Sequence, residues 1–247
     1  MSNTRKLWAS LAALLVVSFS VLLWAGGEIF RAAPPMPERV IDAQGREVFT
    51  RSDIERGRQV WQSFGGMQLG SIWGHGAYVA PDWSADWLNR EARAVLDIWA
   101  SRVHGSNYAQ LAGEEQSALQ GRLQEMMRRN TYDASTQTIT LTEDRVAAIG
   151  TVQAHYESLF GSGLDTAELR EHYAMRNDTV DTAEHRRALT AFFWWTAWAA
   201  TTERQQADGL VPTQSGVTPK KATYTNNWPS EPLIGNGPHS SMFIWSA

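Results

Sequence analysis

The chain has no cysteine among its 247 residues. That absence excludes a disulfide framework, a thiolate zinc site and a thioether-linked haem, whatever compartment the protein occupies. Positive charge is not in excess either: 22 Lys and Arg face 26 Asp and Glu, for a formal net charge of -4. Without a basic footprint to neutralise phosphates, nucleic acid is not an expected partner. Histidine is scarce, and His75, His104, His155, His172, His185 and His239 include no pair spaced to put two imidazoles on one helix face. A metal site built from these histidines alone is therefore not expected. Nucleophile elbows of Gly-x-Ser-x-Gly type, phosphate-cradling glycine loops and dinucleotide fingerprints are missing as well. The acid pairs Glu114-Glu115 and Glu143-Asp144 fall at expected helix starts, where the helix dipole accounts for them. No catalytic residue is assigned in this chain.

Long hydrophobic runs are also rare, with one exception. From Leu7 to Trp24 no charged residue occurs, and at about 1.5 Å per residue this run nearly spans the roughly 30 Å hydrocarbon layer of a bilayer. It reads as a transmembrane helix bracketed by Trp8 and Trp24. Arg5 and Lys6 precede it and Glu28 and Arg31 follow, so the positive-inside tendency puts the N-terminus in the cytoplasm and the rest outside the cytoplasmic membrane. A cleaved signal peptide is the competing reading; the length of the run, with no clear small-x-small cleavage site after it, argues against it.

Four segments follow: residues 1–30, cytoplasmic N-terminus and transmembrane helix; 31–39, a linker stiffened by Pro34, Pro35 and Pro37; 40–204, a folded domain; and 205–247, an extended segment rich in Pro, Gly, Asn and Ser. Within the domain the expected class is mainly α with a small β-hairpin. Ser52 with Glu55 makes a capping box for a helix to about Trp61. Further helices are expected from Pro81–Ser84 through Trp99, over Glu114–Arg129, from Thr142 to the Gly161-Ser162-Gly163 turn, over Ala167–Met175 and over Thr182–Glu203. Alternating Thr131–Thr142 reads as a hairpin, and Val40–Phe49 as a weaker one. Twelve tryptophans are the compositional surplus. A large apolar body with one N–H donor suits interfaces, and Ala191–Ala200, apolar almost all round, is expected to be buried core or a surface against a bundle or membrane.

One stretch carries specific grammar, Gly57 to Trp83, GRQVWQSFGGMQLGSIWGHGAYVAPDW. It resembles the haem-attachment region of the small cytochrome c subunit of nitric oxide reductases, in which a helix runs into Cys-x-x-Cys-His and then Gly-x-Gly-Ala-Tyr-x-Ala-Pro. Gly57, Arg58, Gly74, Gly76, Ala77, Tyr78, Ala80 and Pro81 match without gaps. Gly66 and Leu69 stand at the two cysteine positions and Gly70 at the haem-ligating histidine, so every bond that region makes to a haem is gone. The pocket is expected to be empty or filled by side chains such as Trp61 and Trp73.

That loss, with Trp61-Gln62-Ser63, Pro81-Asp82-Trp83-Ser84-Ala85-Asp86-Trp87, Tyr224-Thr225-Asn226-Asn227-Trp228-Pro229 and Glu231-Pro232-Leu233, resembles the quinol-dependent nitric oxide reductases, of the haem-copper oxidase superfamily. The resemblance implies a membrane-anchored, haem-less cytochrome c-like module, non-catalytic in itself, capping the extracytoplasmic face of a catalytic helical bundle. That bundle would follow Ala247, hold b-type haems and non-haem iron, and take electrons from quinol. The resemblance further implies a calcium ion between domain and bundle, to which Gly76 would give a carbonyl and Tyr78 its side chain; a tight turn with Tyr78 packed in the core is the competing reading. A stand-alone anchored binding protein, or an electron-transfer protein with noncovalent haem, are the alternatives.

Overall fold

The computed structural model describes residues 3–77, 79–204, 223–225 and 233. Helix α1 runs Asn3–Ala32, about 45 Å at helical rise. Its most apolar window has a mean hydropathy of 2.2 and none of it is buried against the rest of the protein. Leu14, Phe19, Leu22 and Leu23 are exposed, as a membrane anchor requires and a soluble core helix does not. The helix runs to Ala32, two residues into the expected 31–39 linker, and ends before Pro34 and Pro35.

The domain begins with β1 (Arg39–Ile41) and β2 (Glu47–Thr50), then α2 (Arg51–Ser63). The start of α2 corrects the expected cap at Ser52 and Glu55. Thr50 is the N-cap: its hydroxyl accepts from the Asp53 N–H at 3.1 Å while the Asp53 carboxylate accepts from the Thr50 N–H at 2.9 Å. Both Thr50-x-x-Asp53 and Ser52-x-x-Glu55 have capping grammar. Strand β2 pairs through Thr50 with Arg39, which leaves Thr50 extended and decides for the earlier box.

A two-stranded hairpin, β3 (Ser71–Ile72) and β4 (His75–Gly76), precedes α3 (Trp83–His104). Then come α4 (Gly113–Arg128), β5 (Tyr132–Asp133), β6 (Thr138–Thr140), α5 (Glu143–Phe160), the short α6 (Ala167–His172) and α7 (Ala183–Thr201). Asp82, Thr142 and Thr182 cap α3, α5 and α7 through their side chains. The expected helix over Ala167–Met175 stops at His172, because Ala174 takes φ 53°. The two expected hairpins form one four-stranded sheet, ordered β2-β1-β6-β5, in which β1 and β6 run parallel with Val40 opposite Ile139.

Helix α7 is the centre of the domain. Every residue from Ala188 to Thr201 is buried, which resolves the Ala191–Ala200 expectation in favour of core. Helices α2, α3 and α5 pack around it. The approach of α2 is at backbone distance: a Cβ built on Gly57 would collide with the Ala188 carbonyl oxygen and lie 2.8 Å from the Phe192 Cβ. The segment Asn226–Pro229, expected to connect onward, lies outside the described residues; just before it, Tyr224 stacks on Trp198 at 5.4 Å.

Candidate functional site

The glycine-rich stretch between α2 and α3 is a loop folded on its own backbone and anchored by one carboxylate. Gly66–Gln68 forms a single 3₁₀ turn, and the Ala77 N–H returns to the Met67 carbonyl at 2.7 Å. Hairpin β3–β4 is joined by Trp73 and Gly74, with φ of 53° and 78°, the two positive φ values of a type I′ turn. Asp82 holds this turn to α3. One carboxylate oxygen accepts from the Ala85 N–H at 3.0 Å, capping the helix; the other accepts from the Ser71 hydroxyl at 2.8 Å and the Gly74 N–H at 2.7 Å.

Trp73, a non-glycine residue in left-handed backbone, is fixed from outside the loop. Its indole N–H donates to the Thr196 carbonyl at 2.8 Å and its ring lies 5.8 Å from Trp195. Trp195 in turn donates to the Pro35 carbonyl at 3.1 Å. The loop is thereby tied to the point where the anchor meets the domain. Met67 and Val79 on the loop are about half exposed.

At the three positions singled out by the motif, Gly66 has open space where a Cβ would stand, and Leu69 is half-buried against the core. Gly70 is different. With φ 86°, its Cβ would lie 2.5 Å from both the Pro81 carbonyl oxygen and the Trp83 indole nitrogen. That indole donates to the Leu69 carbonyl at 2.9 Å and is completely buried. Its ring stacks on Phe193 at 5.3 Å with planes 6° apart, and meets Phe160, Tyr156 and Tyr173. Behind them Trp87 stacks on Tyr156, whose hydroxyl donates to Asp86 at 2.7 Å. Burial, reinforced by the Asp86 charge, pushes the Tyr156 phenol well above its ordinary value, so it stays neutral.

The residues present therefore do not fit a covalently attached haem. No thiol stands at 66 or 69, no imidazole at 70, and a side chain at 70 would displace Trp83. Of the two fillers expected from sequence, Trp61 packs on Phe192 at 5.6 Å and Trp73 on Trp195; neither is the residue against Gly70. Trp83 is, and the Pro81-Asp82-Trp83 motif was its only signal.

The calcium half-site is only partly visible. Tyr78 lies outside the described residues. Gly76 has φ 141°, and a Cβ there would strike the Gly70 carbonyl oxygen and lie 3.1 Å from that of Met67, so the position requires glycine. Among the described residues no group of three or more His, Asp or Glu side chains could hold a metal ion. Calcium takes six to eight oxygens, so the described part of this loop does not make a complete site.

Residues 37–230, well over half the chain, match the family model of the NorB cytochrome c-like domain of nitric oxide reductase. The chain belongs to that family. No curated protein matches it. Membership associates the domain with nitric oxide reduction and gives the apolar helix α1 its place as the anchor of a membrane protein. Within this nitric oxide reductase domain, the loop from Gly66 to Gly70 is closed by Trp83.

Proposed function

We propose that this chain is the non-catalytic N-terminal module of a quinol-dependent nitric oxide reductase, which converts two NO and one quinol to N2O, water and quinone. The observation that carries the reading is the contact of Gly70 with the Trp83 indole and the Pro81 carbonyl. A domain without a haem has no centre through which to relay electrons from a donor outside the membrane. Both electrons for the reaction then come from quinol, delivered directly to the bundle that bears the b-type haems and non-haem iron. The module's part is to cover the extracytoplasmic face of that bundle. The tie from Trp73 through Trp195 to Pro35 supports this by setting the glycine-rich loop beside the anchor's exit.

Purified chain in detergent, reconstituted with excess haem, should give no stoichiometric Soret band; a stoichiometric band would overturn the reading. Gly76 and Tyr78 we assign to a calcium site shared with the bundle, the remaining oxygens coming from the partner. Tyr78→Phe in the complete enzyme should lower bound calcium measured by elemental analysis, and unchanged occupancy would refute the assignment.

A further inference from the structure

About 24 Å along α3 from Trp83, Trp99 forms one wall of a cavity of about 250 Å³ between α4, the β5–β6 hairpin and the start of α5. Its floor is Arg145, only 4 % exposed. The Arg145 Nε donates to one oxygen of the fully buried Glu91 at 2.7 Å, and the other Glu91 oxygen accepts from Trp87 at 2.8 Å. Glu91 is thus satisfied, whereas the two terminal amino groups of Arg145 make no hydrogen bond to the protein and the side chain lines the cavity. A nearly buried guanidinium with two open donors calls for an acceptor.

Most charges around the cavity are paired. Asp144 is engaged by Arg102 and by the Trp99 indole, each at 2.7 Å. Glu125 pairs with Arg129 at 3.2 Å, and Arg145 with Glu91. Arg122 remains, its guanidinium 4.2 Å above the Trp99 ring and in no ion pair among the described residues. Arg122 acts electrostatically on Asp144, while Glu143, the other acid at the start of α5, accepts from the neutral Gln44; the dipole of α5 adds positive potential at this end.

We propose that this cavity binds a small monocarboxylate. Its two oxygens take the two free amino groups of Arg145, a planar fork matched to a carboxylate. Arg122 balances its charge, and its body lies against Trp99. Glu125 and Asp144 also line the cavity, and their charges disfavour phosphate, a mixture of mono- and dianion at neutral pH, more than a monoanion.

The test is calorimetric titration of the full chain in detergent with sodium benzoate, whose ring suits the Trp99 wall, and in parallel with inorganic phosphate at equal ionic strength. Saturable one-to-one benzoate binding is expected, with phosphate weaker. Arg145→Lys keeps a cation for Glu91 but removes the fork, and should weaken benzoate about tenfold or more. Arg122→Gln, at an exposed position, should weaken it roughly fivefold with the fold intact by circular dichroism. No saturable binding, affinity unchanged in Arg122→Gln, or phosphate binding tighter than benzoate would each overturn the proposal.

Discussion

Replacing Gly57 by alanine isolates the contact on which the domain is built. In an open helix the substitution helps, because alanine exceeds glycine in helix propensity by about 1 kcal/mol. At Gly57 the new methyl would collide with the Ala188 carbonyl oxygen and fall 2.7 Å from the carbonyl carbon and 2.8 Å from the Phe192 Cβ. These are mostly backbone atoms, so no rotamer change relieves the overlap; α2 must move off α7 by about 1 Å, loosening the Trp61–Phe192 contact. Overpacking of this kind costs about 1–3 kcal/mol, sometimes more, and here it acts on two rigid helices. A net loss of about 2 kcal/mol is expected, which for a domain of this size lowers Tm by about 4–8 °C. Gly121→Ala is the internal control: it lies on α4, exposed, with nothing within 4 Å of its Cβ. It should stabilise by up to about 1 kcal/mol. Thermal unfolding of both variants in the same detergent checks the pair. If Gly57→Ala matched or exceeded Gly121→Ala in stability, the close approach of α2 and α7 would be wrong.

The buried pair should behave as a unit. Arg145→Met strands the Glu91 charge and is expected to cost about 3–5 kcal/mol, while adding Glu91→Gln, which keeps a partner for Trp87, should recover most of it. Denaturant unfolding of the single and double variants decides, and strict additivity would argue against the pairing. Acid should act partly through Asp144. Burial raises its pKa, but hydrogen bonds from Arg102 and Trp99 prevail and hold it below the ordinary value of 3.8. A carboxyl lowered by folding contributes stability that is present above the unfolded pKa and is lost as pH falls through the folded one. Asp144→Asn should therefore flatten the stability profile below about pH 4 and leave it little changed between pH 4 and 5; an unaltered acid limb counts against this.

Most helices were legible because their signals are local. Asp82, Thr142 and Thr182 stand just ahead of apolar stripes, and the structure starts α3, α5 and α7 there. The parallel pairing of β1 with β6 was not legible: three-residue strands about a hundred positions apart share no turn to announce them. The first cap was ambiguous because two boxes overlapped and only strand pairing separated them. At the site, the missing cysteines were plain, and so was the loss at Gly66, Leu69 and Gly70. What occupies the space was not, since the contact of Trp83 with Gly70 depends on how the loop folds back across the end of α3. Glu91 carries no motif that singles it out, although its place four residues after Trp87 on the apolar face puts it among core positions.

The position of α7 in the chain also sets the order in which the domain can be assembled. Helices α2, α3 and α5 bury their apolar faces against an element that follows α2 by about 120 residues. At about 5–20 residues per second, synthesis leaves the face of α2 without its main partner for roughly ten seconds, and that of α5 for only a few. Among the described residues α1 is the one long apolar helix that is not buried in the domain, so through that interval α2 stands tethered to the anchor while its partner, Ala188–Thr201, is still to be made.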